Sequence, residues 1–392
     1  MTSTGPLTGL RVLELGGIGP GPFAGMFLAD LGAEVVRIER PERSEFAGEG
    51  GPADVTNRGK RSVLLDLKHP AGPEVVLQLA GRADVLIEGF RPGVSERLGI
   101  GPHECLARNP RLVYGRITGW GQEGPLAAVA GHDITYLALT GALSAIGSAG
   151  GPPQIPLNLL GDFGGGACYL LIGVLAALHS AARTGRGQVV DAAIVDGTTH
   201  LLASTFGKLA RGAWNDERGT NQLDGGWPFY AVYKTRDGRY MAVGALEAKF
   251  FRRLIELLQV DVDPDEQHDR SGWPRLRRLL EQRFAERTRD EWTALFEGTD
   301  ACVAPVLGLT EAAAHPHLAA RASLVTTDGV LQPAAAPRFS GTPARAGGPA
   351  PAIGADTRAV LSDWGVDDVD GLIDSGAATT AYPRQTTSER IP

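Results

Sequence analysis

LRVLELGGIGPGPFAGMFLADLGAEVVRIERP, residues Leu10 to Pro41, decides the fold. Leu10–Leu15 is dense in branched apolar residues and predicts a strand. GGIGPGP then makes a turn, and PFAGMFLADLG has helical spacing, with Pro22 in the first turn and Gly32 just past the end. AEVVRIERP predicts a second strand. This is one βαβ unit. Outward from it, RSVLLDLK, ADVLIEGF and LVYGRITGWG predict further strands, with helical stretches such as GPEVVLQLAGR between them. Alternation of this kind predicts an α/β fold: a Rossmann-like large domain with a mostly parallel sheet and helices on both faces.

The glycines after the first strand invite a dinucleotide reading. GGIGPGPFAG does not supply G-x-G-x-x-G in register, because the residue three after Gly19 is Pro22. Glu39 stands where a ribose-binding acid would. The failed third glycine argues against NAD and leaves a tight turn that approaches a ligand or another chain.

Past Gly185 the texture changes. FYAVYKTRDGRYMAV predicts a hairpin turning at Asp237-Gly238. Amphipathic helices follow over Ala248–Leu258, Trp273–Arg287 and Asp290–Phe296, which makes a smaller α+β domain. Pro333–Pro351 predicts an extended linker, DTRAVLSDWG a short helix, and TTAYPRQTTSERIP a loose tail. The expected organisation is a large domain over residues 1–200, a linker over 201–228, a small domain over 229–320 and a return segment with tail over 321–392.

Of the 392 residues 21% are charged, and the net charge is −7, which gives no reason to expect nucleic acid or an anionic membrane as partner. Cys105, Cys168 and Cys302 lie far apart, outside any disulfide framework or zinc spacing, so no metal is expected and a reducing, cytoplasmic setting fits. MTSTGPLTGLRVLELGG has no basic segment followed by an apolar core, so no signal peptide is read. Phe163–Ala182 is as long as a membrane span but lacks an aromatic belt, and reads as a helix buried on all sides of a large core.

Within PLNLLGDFGGGACYLLIGVLAALHS the only charged side chain is Asp162, and none other occurs between Asp133 and Arg183. A lone carboxylate there is costly unless it is paired or takes up a proton. It precedes a long helix, whose first amides could be capped by Asp162 or could hold an oxyanion. Local sequence leaves open that Asp162 or Asn158 is simply an N-cap. Gly161, Gly164, Gly165 and Gly166 would let a substrate approach the backbone. In AGHDITYLALTGALSAIG, His132 and Asp133 start a helix expected to carry Ile134, Leu137, Gly141 and Ala145 on one face. His132 could serve as a base or as a cap, and Asp133 as a cap. Glu247 follows a strand and precedes a helix, where an acid also suits the helix dipole. Arg40, Arg58–Arg61, Lys68 and Arg91 could each meet a phosphate or face solvent.

Taken together, these motifs resemble the family III CoA-transferase and α-methylacyl-CoA racemase superfamily, and its racemase branch more narrowly. The resemblance covers about Leu7 to Gly354. It is carried by LRVLELGGIGPGPFAGMFLADLGAEVVRIERP, RGKRSVLLDLK, ITGWGQEGP, AGHDITYLALTGALS, PLNLLGDFGGG, TGRGQVVDAAIVDG, LDGGWPFYAVYKTRDGRYMAVGALE and GTDACVAPVL. It implies an acyl-CoA thioester as substrate, no separate cofactor, and an interlocked homodimer. By carry-over, His132 and Asp162 are the two catalytic bases, and Glu247 hydrogen-bonds His132 across the dimer. The family's CoA contacts fall on Arg40, Leu65, Asp66, Leu67, Lys68 and Arg91, and on the backbone of Gly131, His132, Asp133, Ile134, Thr135 and Tyr136. Transferases of the family use the aspartate matching Asp162 as acyl carrier, under a glycine-rich loop, and usually lack the histidine. The histidine here, and VGALEAKF where that loop would stand, point to 1,1-proton transfer at C2 of a 2-methyl-branched acyl group. The amides near Gly161–Phe163 are expected to hold the enolate oxygen.

Overall fold

Six parallel strands and one short antiparallel edge strand form the main sheet. The computed structural model describes residues 5–42, 48 and 50–381, so most of the expected tail, residues 382–392, lies outside the described residues. The strands are β1 (Arg11–Leu15), β2 (Glu34–Glu39), β3 (Arg61–Leu65), β4 (Val85–Glu88), β5 (Val113–Thr118) and β6 (Val189–Ala193). Their spatial order is β3-β2-β1-β4-β5-β6, and Ala378–Thr379 pairs antiparallel outside β3. The fold is mixed α/β with a mostly parallel seven-stranded sheet.

Side chains alternate across this sheet with period two. Leu13, Leu15, Val36, Ile38, Val63, Leu65 and Leu86 enter one core, closed by Trp364 and Leu79. Val12, Val35, Val85, Ile87, Val113 and Ile117 enter the other. Burial on both faces is why the strands read as continuous apolar runs.

Helix α1 (Pro20–Asp30) follows β1 and contributes Ala24 and Leu28 to the second core. Helix α2 (Asp133–Leu139) is shorter than expected: the chain breaks at Thr140, Gly141 turns with φ +83°, and a separate short helix covers Ala142–Ala145. A π-helical segment, Leu159–Ala167, runs straight into α3 (Cys168–Thr184). Leu170, Leu171, Val174 and Ala177 of α3 complete the second core. The expectation that this run is buried on all sides is corrected here. Ile172 is 63% and Leu159 59% exposed, because only one face of the helix meets the sheet. Leu159–Thr184 is nonetheless long and apolar enough to cross a membrane. Helix α4 (Ile194–Leu201) follows β6 directly.

Packing divides the chain into two units. One runs to Thr140, resumes over Leu157–Leu201 and takes the chain from Ala319 onward; the other comprises Gly141–Pro156 and Leu202–Leu318. The second has a three-stranded antiparallel sheet of β7 (Tyr230–Lys234), β8 (Tyr240–Gly244) and β9 (Val303–Pro305). The Asp237-Gly238 turn joins β7 to β8 as read from sequence, with Gly238 at φ +77°. Helices Ala248–Leu258, Trp273–Phe284 and Arg289–Phe296 cover it around Phe229, Phe251, Phe284 and Trp292.

Candidate active site

In a doubly wound sheet the strand order reverses at one point, and the loops leaving the strand ends there diverge to leave a crevice. Here the reversal lies between β1 and β4. A cavity of about 610 Å³ opens at that point, walled by the segments following β1, β4 and β5: Gly16–Gly21, Gly89–Pro92 and Gly119–Trp120. His132, Asp133, Tyr136, Asn158 and Asp162 line it as well.

Each wall has a local cause. The first loop is tied down by Gly16 N–H donating to Ile38 O at 2.8 Å and by Arg37 Nη2 donating to Gly17 O at 2.9 Å. Gly19 takes φ +67° and ψ −116°, a conformation open to glycine. A Cβ there would also stand 2.9 Å from Asp162 Oδ2, so the loop lies directly against that carboxyl. Phe23 of α1 stacks on Phe163 with ring centroids 4.5 Å apart, which fixes the residue next to Asp162. Tyr136 fits between Gly119 and Gly131, where any side chain would collide with its ring, and packs edge-on against Trp120.

Asp162 sits inside the π-helical segment rather than before a helix, so it is not the N-cap; Asn158 stands at that position, but its side chain caps no amide. π segments widen the helical turn and are frequent at functional sites. Burial pushes the Asp162 carboxyl up, the Asp133 charge pushes it further, and Asn158 and His132 pull it back; the group ends at about 6. Burial likewise raises Asp133 above the ordinary aspartate value, opposed by the amides it accepts from. The amides expected to be free for an oxyanion are engaged. Asp162 N–H donates to Asp133 Oδ1 at 2.7 Å, and Phe163 N–H donates to Asn158 O at 3.2 Å. Two of the glycines of GDFGGG serve packing. A Cβ on Gly165 would lie 2.3 Å from Thr198 Oγ1, and one on Gly166 3.0 Å from Ile194, so these glycines let α4 pack closely.

His132 is exposed, in extended conformation immediately before α2. The Thr135 hydroxyl bridges its backbone, accepting from His132 N–H and donating to His132 O. Asp133 is turned to the Asp162 amide. The structure therefore brings His132 and Asp162 to one cavity, with Arg40, Arg91, Gly131, Asp133 and Tyr136. Leu65, Asp66, Leu67, Lys68, Ile134 and Thr135 do not line it. Leu65 is fully buried and paired with Ala378, Leu67 belongs to the first core, and Lys68 is an exposed partner of Glu42. Glu247 belongs to the second unit, exposed, just before the helix Ala248–Leu258. Sequence reasoning passed over Phe90, Trp120 and Val129 in the lining. The Trp120 indole N–H is buried with no acceptor among the described residues. The aromatic residue in ITGWG, directly after a strand end, was the available signal.

A model of CoA-transferase family III matches residues 7–357. The chain is 46% identical to the alpha-methylacyl-CoA racemase of Mus musculus and 45% identical to that of Homo sapiens. Each match covers 92% of this chain and 93% of the relative. Among solved structures, a CAIB/BAIF family protein from Brucella suis superposes with a TM-score of 0.78 at 28% identity, covering 92% of this chain and all of that one.

Proposed function

The chain belongs to CoA-transferase family III, and within it we infer an α-methylacyl-CoA racemase, an isomerase that inverts C2 of 2-methyl-branched acyl-CoA thioesters. The thioester makes the α-hydrogen weakly acidic. One base removes it, the electron pair moves onto the thioester oxygen as an enolate, and a protonated group on the opposite face returns a proton to C2. Two acid/base groups on one cavity suffice for this. His132 serves one face and Asp162 the other. In each direction one starts proton-free and the other starts protonated.

The observation that carries this reading is Asp162: a carboxyl raised to about 6, in the lining of the cavity that His132 also lines. Held there, it can both keep and release a proton near neutral pH, as the return step requires. Arg40 and Arg91, both in the lining, are suited to the phosphates of CoA, which enters as part of the substrate. As part of the same proposal, the protein acts as a homodimer in which the Glu247 of a second copy supports the basicity of His132. The exposed side chains of Leu157, Leu159 and Ile172 are the kind of apolar surface that such an interface covers.

The test is α-proton exchange followed by NMR in deuterated water, against a panel of 2-methylacyl-CoA esters. Each epimer is expected to take up deuterium at C2 as it inverts. Asp162→Asn is expected to lose inversion by about 10²–10⁴-fold in both directions. Full activity in that variant would refute the assignment. Acyl transfer to a free acid without exchange would instead show transferase chemistry.

A further inference from the structure

Asp133 follows His132 in sequence and lies against Asp162 in space, yet the two-base chemistry gives it no task. Its Oδ1 accepts from the Asp162 backbone N–H at 2.7 Å, and the Gly161 N–H also donates to this carboxylate. The approach leaves no room for a side chain: a Cβ on Gly161 would stand 2.2 Å from Oδ1. One carboxylate from the first turn of α2 thus takes up two successive amides of the π-helical segment, across 28 residues of intervening chain. Among the described residues, no lysine or arginine forms an ion pair with Asp133 or Asp162, although Arg40 and Arg91 line the same cavity. A carboxylate placed this close to another, with no cation between them, is costly for stability alone.

We propose that Asp133 is the positioning residue for Asp162: by holding the Gly161 and Asp162 amides it fixes the turn that directs the Asp162 carboxyl into the cavity. This rests on Asp162 being one of the two acid/base groups. The ionisable side chains acting on Asp162 or acted on by it are His132, Asp133 and Tyr136, with Asn158 beside them and Arg40 and Arg91 elsewhere in the same lining. Of these, Asp133 is the one whose negative charge keeps the Asp162 proton on at higher pH; His132 acts the other way. Position and proton affinity therefore depend on the same group, and the two are separable by substitution. Asparagine keeps an acceptor oxygen for the amides and loses the charge, whereas alanine loses both.

The experiment measures kcat/KM for α-proton exchange of a 2-methylacyl-CoA across pH, together with the Kd of free coenzyme A. Wild type, Asp133→Ala, Asp133→Asn and Asp162→Asn are compared. Asp133→Ala is expected to lose about 10²-fold in kcat/KM with coenzyme A Kd unchanged. Asp133→Asn is expected to keep more of the rate, with the acid limb of its profile moved to lower pH, since a like charge has gone. A wild-type rate in Asp133→Ala, a wild-type acid limb in Asp133→Asn, or a Kd rising in step with the lost rate would each overturn the proposal. Should Asp162→Asn alone be inactive, Asp133 is discarded and the two-base reading survives. Should Asp162→Asn keep its full rate, both fall.

Discussion

Two groups of carboxylates sit beside the same glycine loop, and they are treated in opposite ways. On one side, Glu14 is fully buried yet paired with Arg37 and, at 2.7 Å, with Lys60. Arg37 also holds Glu39 at 2.5 Å. Burial pulls the Arg37 guanidinium down, and Glu14 and Glu39 more than offset it, so it stays charged. Burial lowers Lys60 to about 8 against the pull of Glu14. Both cations also brace this segment, Arg37 at Gly17 O in the loop and Lys60 at Pro22 O in the first turn of α1, each at 2.9 Å. On the other side, Asp162 meets the loop at Gly19 with a second carboxylate as its neighbour and, among the described residues, no lysine or arginine paired with it; Asn158 and His132 alone pull the other way. Matched charge builds a rigid wall. Unmatched charge leaves a proton in play.

The sharpest way to break this contrast is to unmatch the matched side. Glu14→Gln leaves Arg37 with Glu39 as its one remaining carboxylate partner and Lys60 with the neutral oxygens of Pro22 and Asn57, in a dry interior. Removing one partner of a buried ion pair costs about 3–5 kcal/mol. The expected result is a large fall in the urea midpoint at pH 7; a change under ~1 kcal/mol would mean that the cluster is wetter than its burial implies.

Gly19→Ala tests the shared wall from the other side. A residue with a Cβ at φ +67° and ψ −116° carries roughly 1–3 kcal/mol of strain, and the new methyl presses on Asp162 Oδ2. Racemisation is expected to fall by about 10²-fold, since small displacements of a reacting group have effects of that size. A variant with wild-type kcat would show that the loop and the carboxyl are not coupled.

The sequence shows the strands that carry the matched side but not its ion pairs: Lys60, expected to meet a phosphate or face solvent, is buried and paired with Glu14. β1 to β5 could be read because each is an apolar run buried on both faces, and Ala248–Leu258 because its apolar stripe has helical period. Asp162 could be picked out because it is the lone charged side chain of an apolar run, and His132 because it directly precedes a helix. The π turn could not, since it depends on Asp133 reaching Gly161 and Asp162 from a distant segment, and no local pattern records that contact. The exposure of α3 was equally hidden. A helix apolar all round signals that every face is covered by something, and here the chain itself covers only one. Phe90 and Trp120 join the cavity because β4 lies beside β1 and β5 beside β4, a consequence of strand order rather than of sequence neighbours.

The smallest effect sharpens the contrast most, because its sign is opposite. Folding raises the Asp162 carboxyl from its ordinary 3.8 to about 6. The folded state therefore holds this proton more tightly than the unfolded chain does, and stability drawn from it is complete below about 4 and lost as pH rises through 6. At pH 7 the ionised carboxylate is a net liability, at most ~3 kcal/mol and, with partial solvation, on the order of 1 kcal/mol. Asp162→Asn removes that charge while keeping the shape. The inactive variant is expected to be more stable than wild type by on the order of 1 kcal/mol at pH 7, with the gain fading by pH 4. Denaturation midpoints of the two proteins at pH 4, 5.5 and 7 measure it. A loss of stability at pH 7, or a gain independent of pH, would mean that Asp162 is held as Glu14 is, by partners that favour its charge.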